Sequence, residues 1–247
     1  MPNSFLLNKS KLFSQKLETM PDQKLLISTL NAYCYNIAQK DKEYSEVLYK
    51  SDVLLPDGVS VVLAAYLLTG TRLKKIAGED LFFYEMSRLN KNGGSCFFLG
   101  SNEDTLSRII DRAKSDFPKV NAHMFSPPFK AEFSPEDNKI MVDKINEFKP
   151  DVLFIGMTAP KQEKWAANHL PELNVKHICC IGAVFDFYAG TIKRAPKVLI
   201  ALGLEWFFRL IKEPRRMWRR YIIGNPEFIW LIIKEKYFNT SIKYKES

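Results

Sequence analysis

PDVLFIGMTAPKQEKW, residues 150–165, decides the fold class. An apolar run ends at Gly156, and a polar segment opens at Pro160, where proline is tolerated in the first turn of a helix. That is strand, turn and helix in one stretch. The same grammar recurs in CFFLGSNED (96–104), which leads into EDTLSRIIDRAKSDF (103–117). It appears again in KLLIST (24–29) before NAYCYNIAQKDKEY, and in VLLPDG (53–58) before VSVVLAAYLLTG, a segment apolar all round that reads as a buried helix. HICCIGAVFDF (177–187) supplies one more strand ending near a glycine. HMFSPPFKAEFSPEDN (123–138) reads as a loop with a helix start at Ser134-Pro135-Glu136. Strands alternating with helices predict an α/β fold, a Rossmann-like layered parallel sheet with helices on both faces. Ligands of such sheets bind beyond the carboxyl ends of the strands. Attention therefore falls on Thr29–Asn31, Asp57–Gly58, Gly100–Asn102, Gly156–Gln162 and Gly182–Asp186.

Composition is that of an ordinary globular protein, 46% hydrophobic and 26% charged over 247 residues, so a sizeable core is expected. The first twenty residues hold no apolar stretch long enough for a signal peptide. The run FIWLII (228–233) is far short of the roughly 20 residues a membrane span needs. Cys34, Cys96, Cys179 and Cys180 form no CxxC pair, which favours buried thiols in a reducing cytoplasm. Charge is unevenly placed. Lys and Arg balance Asp and Glu up to Gly190, whereas Thr191–Ser247 carries 13 basic against 5 acidic residues and three of the four tryptophans. The main boundary falls at TIKRAPK, giving a body of residues 1–193 and a helical, basic and aromatic appendage of 194–247. A neutral body with such a tail suggests chemistry in one part and an anionic surface met by the other.

Several chemistries lack their signatures. No GxGxxG follows a strand and there is no GxxxxGK[ST]. His123, His169 and His177 have no metal-ligand spacing, and each reads as surface or partly buried. No acidic pair follows a strand to hold a divalent ion. Bound phosphate would then rest on backbone amides, helix ends and basic side chains. Asp57 is the carboxylate of most interest, lying between an apolar strand and an apolar helix where a lone carboxylate is costly to bury. It reads either as a general base tuned by a semi-apolar pocket or as a helix N-cap, and local pattern alone favours the cap. Asp186 carries the same ambiguity. Gln162 and Glu163 either contact a sugar or simply begin a helix.

Together, TLNAY, LPDGVSVVLAA, AGEDL, PDVLFIGMTAPKQEKW, IGAVFDFYAGTIKRAPK and LGLEWFFRLIKEPRRMWRRY resemble, in order and spacing, the WecG/TagA/CpsF glycosyltransferases of glycosyltransferase family 26. The resemblance runs from about Thr29 to Tyr221. It implies a GT-E fold and an inverting, metal-independent hexosyltransferase without a cofactor, on the cytoplasmic membrane face. The implied reaction moves N-acetylmannosamine or its uronic acid from a UDP donor to an undecaprenyl-diphosphate-linked sugar, GlcNAc favoured, in polysaccharide, teichoic acid or common antigen synthesis. Asp57 matches the family's proposed base, Thr29 and Asn31 its TxN pocket residues, and Gln162 its PKQE glutamine. Arg209 and Arg216 match tail arginines associated with the diphosphate. Lys75 stands where arginine is usual, Ser60 replaces a common small residue, and Leu30 replaces a usual proline. Gly100 and Asp186 complete the candidate site through their strand-end positions. A different donor such as UDP-glucose is the alternative within the family.

The tail segment LGLEWFFRLIKEPRRMWRRYIIG (202–224) holds two tryptophans, two adjacent phenylalanines, a tyrosine and six basic residues. Rings at headgroup depth beside cations suit an anionic membrane surface. Each basic residue there contributes on the order of 1 kcal/mol, so several give reversible attachment. The bland reading is a terminal helix packed on the body with solvated charges. A non-catalytic, nucleic-acid-binding reading is the rival from another class, disfavoured because WFF and FIWLII are too apolar for a nucleic-acid groove. Nucleic acid is not expected as a partner, and a homo-oligomer is left open.

Overall fold

The computed structural model describes residues 6–7 and 11–239; residues 1–5, 8–10 and 240–247, at both ends of the chain, lie outside the described set. Six parallel strands form one sheet in the order β2-β1-β6-β5-β3-β4. They are β1 (Leu25–Leu30), β2 (Val53–Pro56), β3 (Ser95–Gly100), β4 (Asn121–Phe125), β5 (Val152–Gly156) and β6 (His177–Cys180). Parallel strands need crossover connections, and here helices supply them: α1 (Ala32–Lys40), α2 (Lys42–Lys50), α3 (Val59–Thr69), α4 (Gly78–Asn92), α5 (Glu103–Asp116), α6 (Pro135–Phe148) and α7 (Lys161–His169). The Rossmann-like α/β architecture read from the sequence is the one observed.

Strand alternation sorts the core into two layers. Ile27, Leu55, Phe98, Phe154 and Cys179 pack with Phe82 and Met86 of α4 and with Phe185 of α8 (Val184–Ala189). On the other face Leu26, Phe97, Leu153 and Ile178 pack with Met141, Ile145 and Trp165 of α6 and α7. All four cysteines are buried free thiols.

Three readings are corrected. The segment at His123–Phe125, taken as loop, belongs to edge strand β4, paired with Ser95–Leu99. Its sequence NAHMF does alternate, exposed Asn121 and His123 with half-buried Ala122 and Met124, but five residues with no fully buried side chain make a weak strand signal. Helix α3 is not buried all round: Val61, Ala64 and Ala65 are buried, whereas Leu63, Tyr66 and Leu67 are exposed. His177 is fully inside, its Nδ1 2.7 Å from Glu85 Oε1 and its Nε2 3.2 Å from the Pro21 carbonyl oxygen. A buried imidazole must hydrogen-bond, and both nitrogens do.

Beyond β6 the chain is helical: α8, α9 (Lys197–Ala201), α10 (Glu205–Lys212), α11 (Pro214–Trp218) and α12 (Gly224–Lys234). Pro214 separates α10 from α11, as the sequence implies. A π-helical stretch, Arg219–Ile223, carries α11 into α12. Helix α12 lies on α1. The Phe228 ring meets Tyr35 edge-on at 5.3 Å, Asn36 Nδ2 donates to the Gly224 carbonyl at 2.7 Å, and Glu227 pairs with Lys40. Phe228 and Ile232 thereby complete a third apolar cluster with Leu30, Leu54 and α3.

Gly156 ends β5 where the Phe185 ring crosses it; a Cβ there would lie 2.2 Å from the ring. The ring is itself locked in the core, so it has no room to withdraw. Gly156→Ala is expected to cost at least about 2 kcal/mol and several degrees of melting temperature. An unchanged thermal melt would contradict this packing.

Candidate active site

One cleft of about 740 Å³ opens at the carboxyl edge of the sheet, between the ends of β1, β2, β5 and β6 and the tail helices. Such a volume suits a substrate-sized ligand. Of the residues singled out in the sequence, Thr29, Asn31, Asp57, Lys75, Gln162, Arg209 and Arg216 line it. Two do not. Gly100 has φ +119 and packs on the Gly156 backbone, where a Cβ would come within 2.8 Å of the carbonyl oxygen. Its glycine is explained by backbone approach. Asp186 lies on α8 outside the lining. Burial raises its pKa most, Arg216 and Arg209 oppose that rise, and Glu213 adds to it.

Asp57 is placed by strand pairing. Its N–H donates to the Leu30 carbonyl at 2.9 Å, extending the β1–β2 ladder by one step. Gly58, at φ +117, then turns the chain into α3. The N-cap of α3 is Gly58, and no side chain caps that end, so the capping reading of Asp57 fails. Asp57 lines the cleft, and its carboxyl group is pushed up to about 6. Burial is the main cause and Glu205 adds repulsion, as does Asp80; Lys75 and Arg220 pull the other way. Asn31 does cap its helix, accepting from Cys34 N–H at 3.0 Å, so it serves α1 while lining the cleft.

At the start of α7, Gln162 and Glu163 form a buried pair, with Gln162 Nε2 donating to Glu163 Oε1 at 2.8 Å. Gln162 Oε1 and Glu163 Oε2 are left without partners. Burial pushes Glu163 up to about 7, against the Gln162 hydrogen bond.

The tail brings the cations. Arg209 is buried; its guanidinium stands 5.3 Å from the Phe187 ring centre and 3.8 Å from Glu213, and Nε and Nη2 have no hydrogen-bond partner. Buried guanidinium N–H groups without acceptors are costly, and an anion entering the cleft would satisfy them. Arg216 is exposed and donates to Glu213 at 2.9 Å. Two more arginines were missed in the sequence. Arg220 lies over the Tyr33 ring at 4.5 Å, and Arg194 pairs with Glu79 and Glu205. Both sit in motifs already noted, but PRRMWRR holds four arginines of one type. Only the turn through α11 and the π-helical stretch selects Arg216 and Arg220 for the cleft. Among the described residues no His, Cys, Asp and Glu side chains gather as a metal-ligand set.

A Rossmann-like sheet with a carboxylate and five cationic side chains gathered at its carboxyl edge is the architecture of an α/β enzyme. The chain belongs to the WecG/TagA/CpsF family of glycosyl transferases, whose family model matches residues 7–242. It is 31% identical over 217 residues to the N-acetylglucosaminyldiphosphoundecaprenol N-acetyl-beta-D-mannosaminyltransferase of Bacillus subtilis strain 168, covering 87% of this chain and 82% of that one. A protein of the same description from Bacillus spizizenii is 30% identical over 81% of this chain and 75% of its own. One from Staphylococcus aureus strain MRSA252 is 28% identical over 86% and 81%. The enzyme is thus a hexosyltransferase by family.

The Gln162–Glu163 pair makes a prediction separate from catalysis. Burial favours the protonated carboxyl in the folded chain, so the folded protein keeps a proton that the unfolded chain releases near 4.5. Stability from this group is fully present below that pH and is lost as pH rises through about 7. Between about pH 5 and pH 8, Glu163→Gln should gain roughly 2–3 kcal/mol relative to wild type. Urea unfolding at the two pH values checks it; a constant difference would refute it.

Proposed function

We propose that this chain is an inverting glycosyltransferase that moves N-acetylmannosamine from a UDP donor to GlcNAc on undecaprenyl diphosphate, without a metal ion. The observation that carries the reading is a carboxyl group with no capping duty that shares the cleft with a buried guanidinium bearing unsatisfied donors. Names of the similar proteins specify the mannosaminyl group and the lipid-linked acceptor, and that supports the choice of sugars.

In this reading Asp57 takes the proton of the acceptor hydroxyl as its oxygen bonds to the anomeric carbon. The bond from that carbon to the UDP oxygen breaks on the opposite face, and the electron pair leaves with UDP. The negative charge so gathered is met by Lys75, Arg209 and Arg216, cations fixed before the reaction begins. Thr29, Asn31 and Gln162 line the sugar pocket. With its N–H₂ committed to Glu163, Gln162 offers its carbonyl to a hydroxyl or acetamido N–H of the sugar. Residues 1–193 act as the catalytic body, and 194–247 as an appendage that completes the site and holds the enzyme peripherally on the cytoplasmic membrane face. Asp186 lies within the electrostatic reach of Arg209 and Arg216 and adds negative charge beside them.

UDP release from a panel of UDP-sugars tests this, with a short-chain polyprenyl-diphosphate-GlcNAc acceptor and EDTA present. Release is expected with UDP-N-acetylmannosamine and not with UDP-glucose. Asp57→Asn should lower turnover at least about 10²-fold while keeping the wild-type melt. Turnover by wild type should rise through about pH 6 and level off above it, because the base works only when ionised. Activity that survives in Asp57→Asn, or that vanishes in EDTA, overturns the mechanism. Arg209→Ala should raise KM for the charged substrates and lower kcat; unchanged values of both would remove Arg209 from the site.

A further inference from the structure

Helix α3 is apolar on two opposite faces, and the fold uses only one. Val61, Ala64 and Ala65 are buried in the cluster with Leu30 and Leu54. Val59, Leu63, Tyr66 and Leu67, spaced i, i+4, i+7 and i+8, share the other face and are 42%, 55%, 44% and 51% exposed. A helix on an aqueous surface carries polar residues there, yet VSVVLAAYLLT has no charged residue at all. Contiguous exposed apolar surface of this kind marks an interaction site.

The stripe is continuous with the cleft and the tail. Val59 and Leu63 share the cleft lining with Ile200, Ile222 and Ile229. Gly203 of the tail lies directly against Val59. Outward from that rim the tail exposes Leu202, Ile211, Trp218, Ile223 and Trp230. Cations accompany the rings on both flanks: Arg72 stands 5.9 Å from the Tyr66 ring centre, and Arg219 5.3 Å from that of Trp218. Apolar side chains with arginine beside tyrosine and tryptophan match the headgroup boundary of an anionic bilayer. A second copy of the chain covering both flanks would close the cleft mouth between them. No helix among the described residues is long and apolar enough to cross a membrane, so the contact lies in the interface.

We infer that the outer face of α3 is a membrane-contact surface of the catalytic body, so that the cleft opens onto the bilayer between α3 and the tail helices. Resting on the reading of a lipid-linked acceptor, this lets the acceptor reach Asp57 without leaving the lipid. The attachment is two-sided, with the tail on one flank and α3 on the other.

The full chain with Leu67→Cys, labelled with an environment-sensitive fluorophore, tests this directly, because the native cysteines are all buried. Ser107→Cys, exposed on α5, is the control. On vesicles of phosphatidylglycerol and phosphatidylcholine, the label at position 67 should shift to the blue and brighten several-fold, and the label at 107 should not change. Tyr66→Ser with Leu67→Gln, both outside the cleft lining, should lower vesicle partitioning about tenfold. That variant should leave UDP release with the short-chain acceptor unchanged in the absence of vesicles. An unshifted label, or partitioning equal to wild type, overturns the inference. If the same variant instead abolishes self-association in sedimentation velocity and still partitions normally, a second copy covers α3 and the inference is likewise overturned. Failure of wild type to release UDP from any donor would overturn the transferase reading alone, since the fluorescence needs no substrate.

Discussion

The parallel pairing of β1 with β2 on one side and β6 on the other is the constraint from which the site follows. Parallel strands all end at the same edge, and every connection must leave from there and return by a helix. Asp57, Asn31 and Gly182 stand at three such ends and so share one cleft. The hydrogen bond from Asp57 N–H to the Leu30 carbonyl fixes the carboxylate relative to β1. Gly58 removes the chain at once, so no helix amide competes for it. The carboxyl group is left in a partly desolvated position with charge of both signs around it.

The cleft has a body side and a tail side with different physics. The body contributes rigid strand ends and the buried Gln162–Glu163 pair. The tail contributes most of the cations, and it is held by modest contacts: Asn36 to the Gly224 carbonyl, Tyr35 against Phe228, and the ion pairs of Arg194 with Glu79 and Glu205. Arg194 joins the two sides, since Glu79 belongs to α4 and Glu205 to α10. Glu205 in turn is the largest electrostatic contributor to the raised pKa of Asp57. Glu205 thus belongs to the ion-pair cluster of the tail and also acts on the carboxylate of the body.

Apolar surface is distributed with the same division. The sheet core is closed by α4, α6, α7 and α8, and needs nothing from the outer face of α3. That an uncharged helix keeps four apolar side chains exposed beside the cleft mouth is unfavourable in water. The proposed lipid contact would cover those side chains together with the exposed Trp218, Ile223 and Trp230 of the tail.

Much of this was legible in the chain itself. The recurring strand–glycine–helix grammar determined the parallel α/β class, because short continuous apolar runs and the helical segments after them are local signals. The charge break at TIKRAPK and the ring-and-arginine tail were equally plain, and motif order identified the family. Other features depended on tertiary structure. NAHMF became a strand because β3 offered it an edge; local pattern could not show that. The two apolar faces of α3 are indistinguishable in sequence, and only packing decides which is buried. Gly100 and Asp186 end or follow strands like the others, yet β3 lies away from the cleft in the strand order, and Asp186 sits on α8 outside the lining although its neighbours Val184 and Phe187 belong to it. Four arginines of PRRMWRR look alike, and the path of the chain through a proline break and a π-helical stretch chose two of them. Sequence fixes what is local, the periodicity and the residue types. Which groups face one another across the cleft is a property of long-range packing.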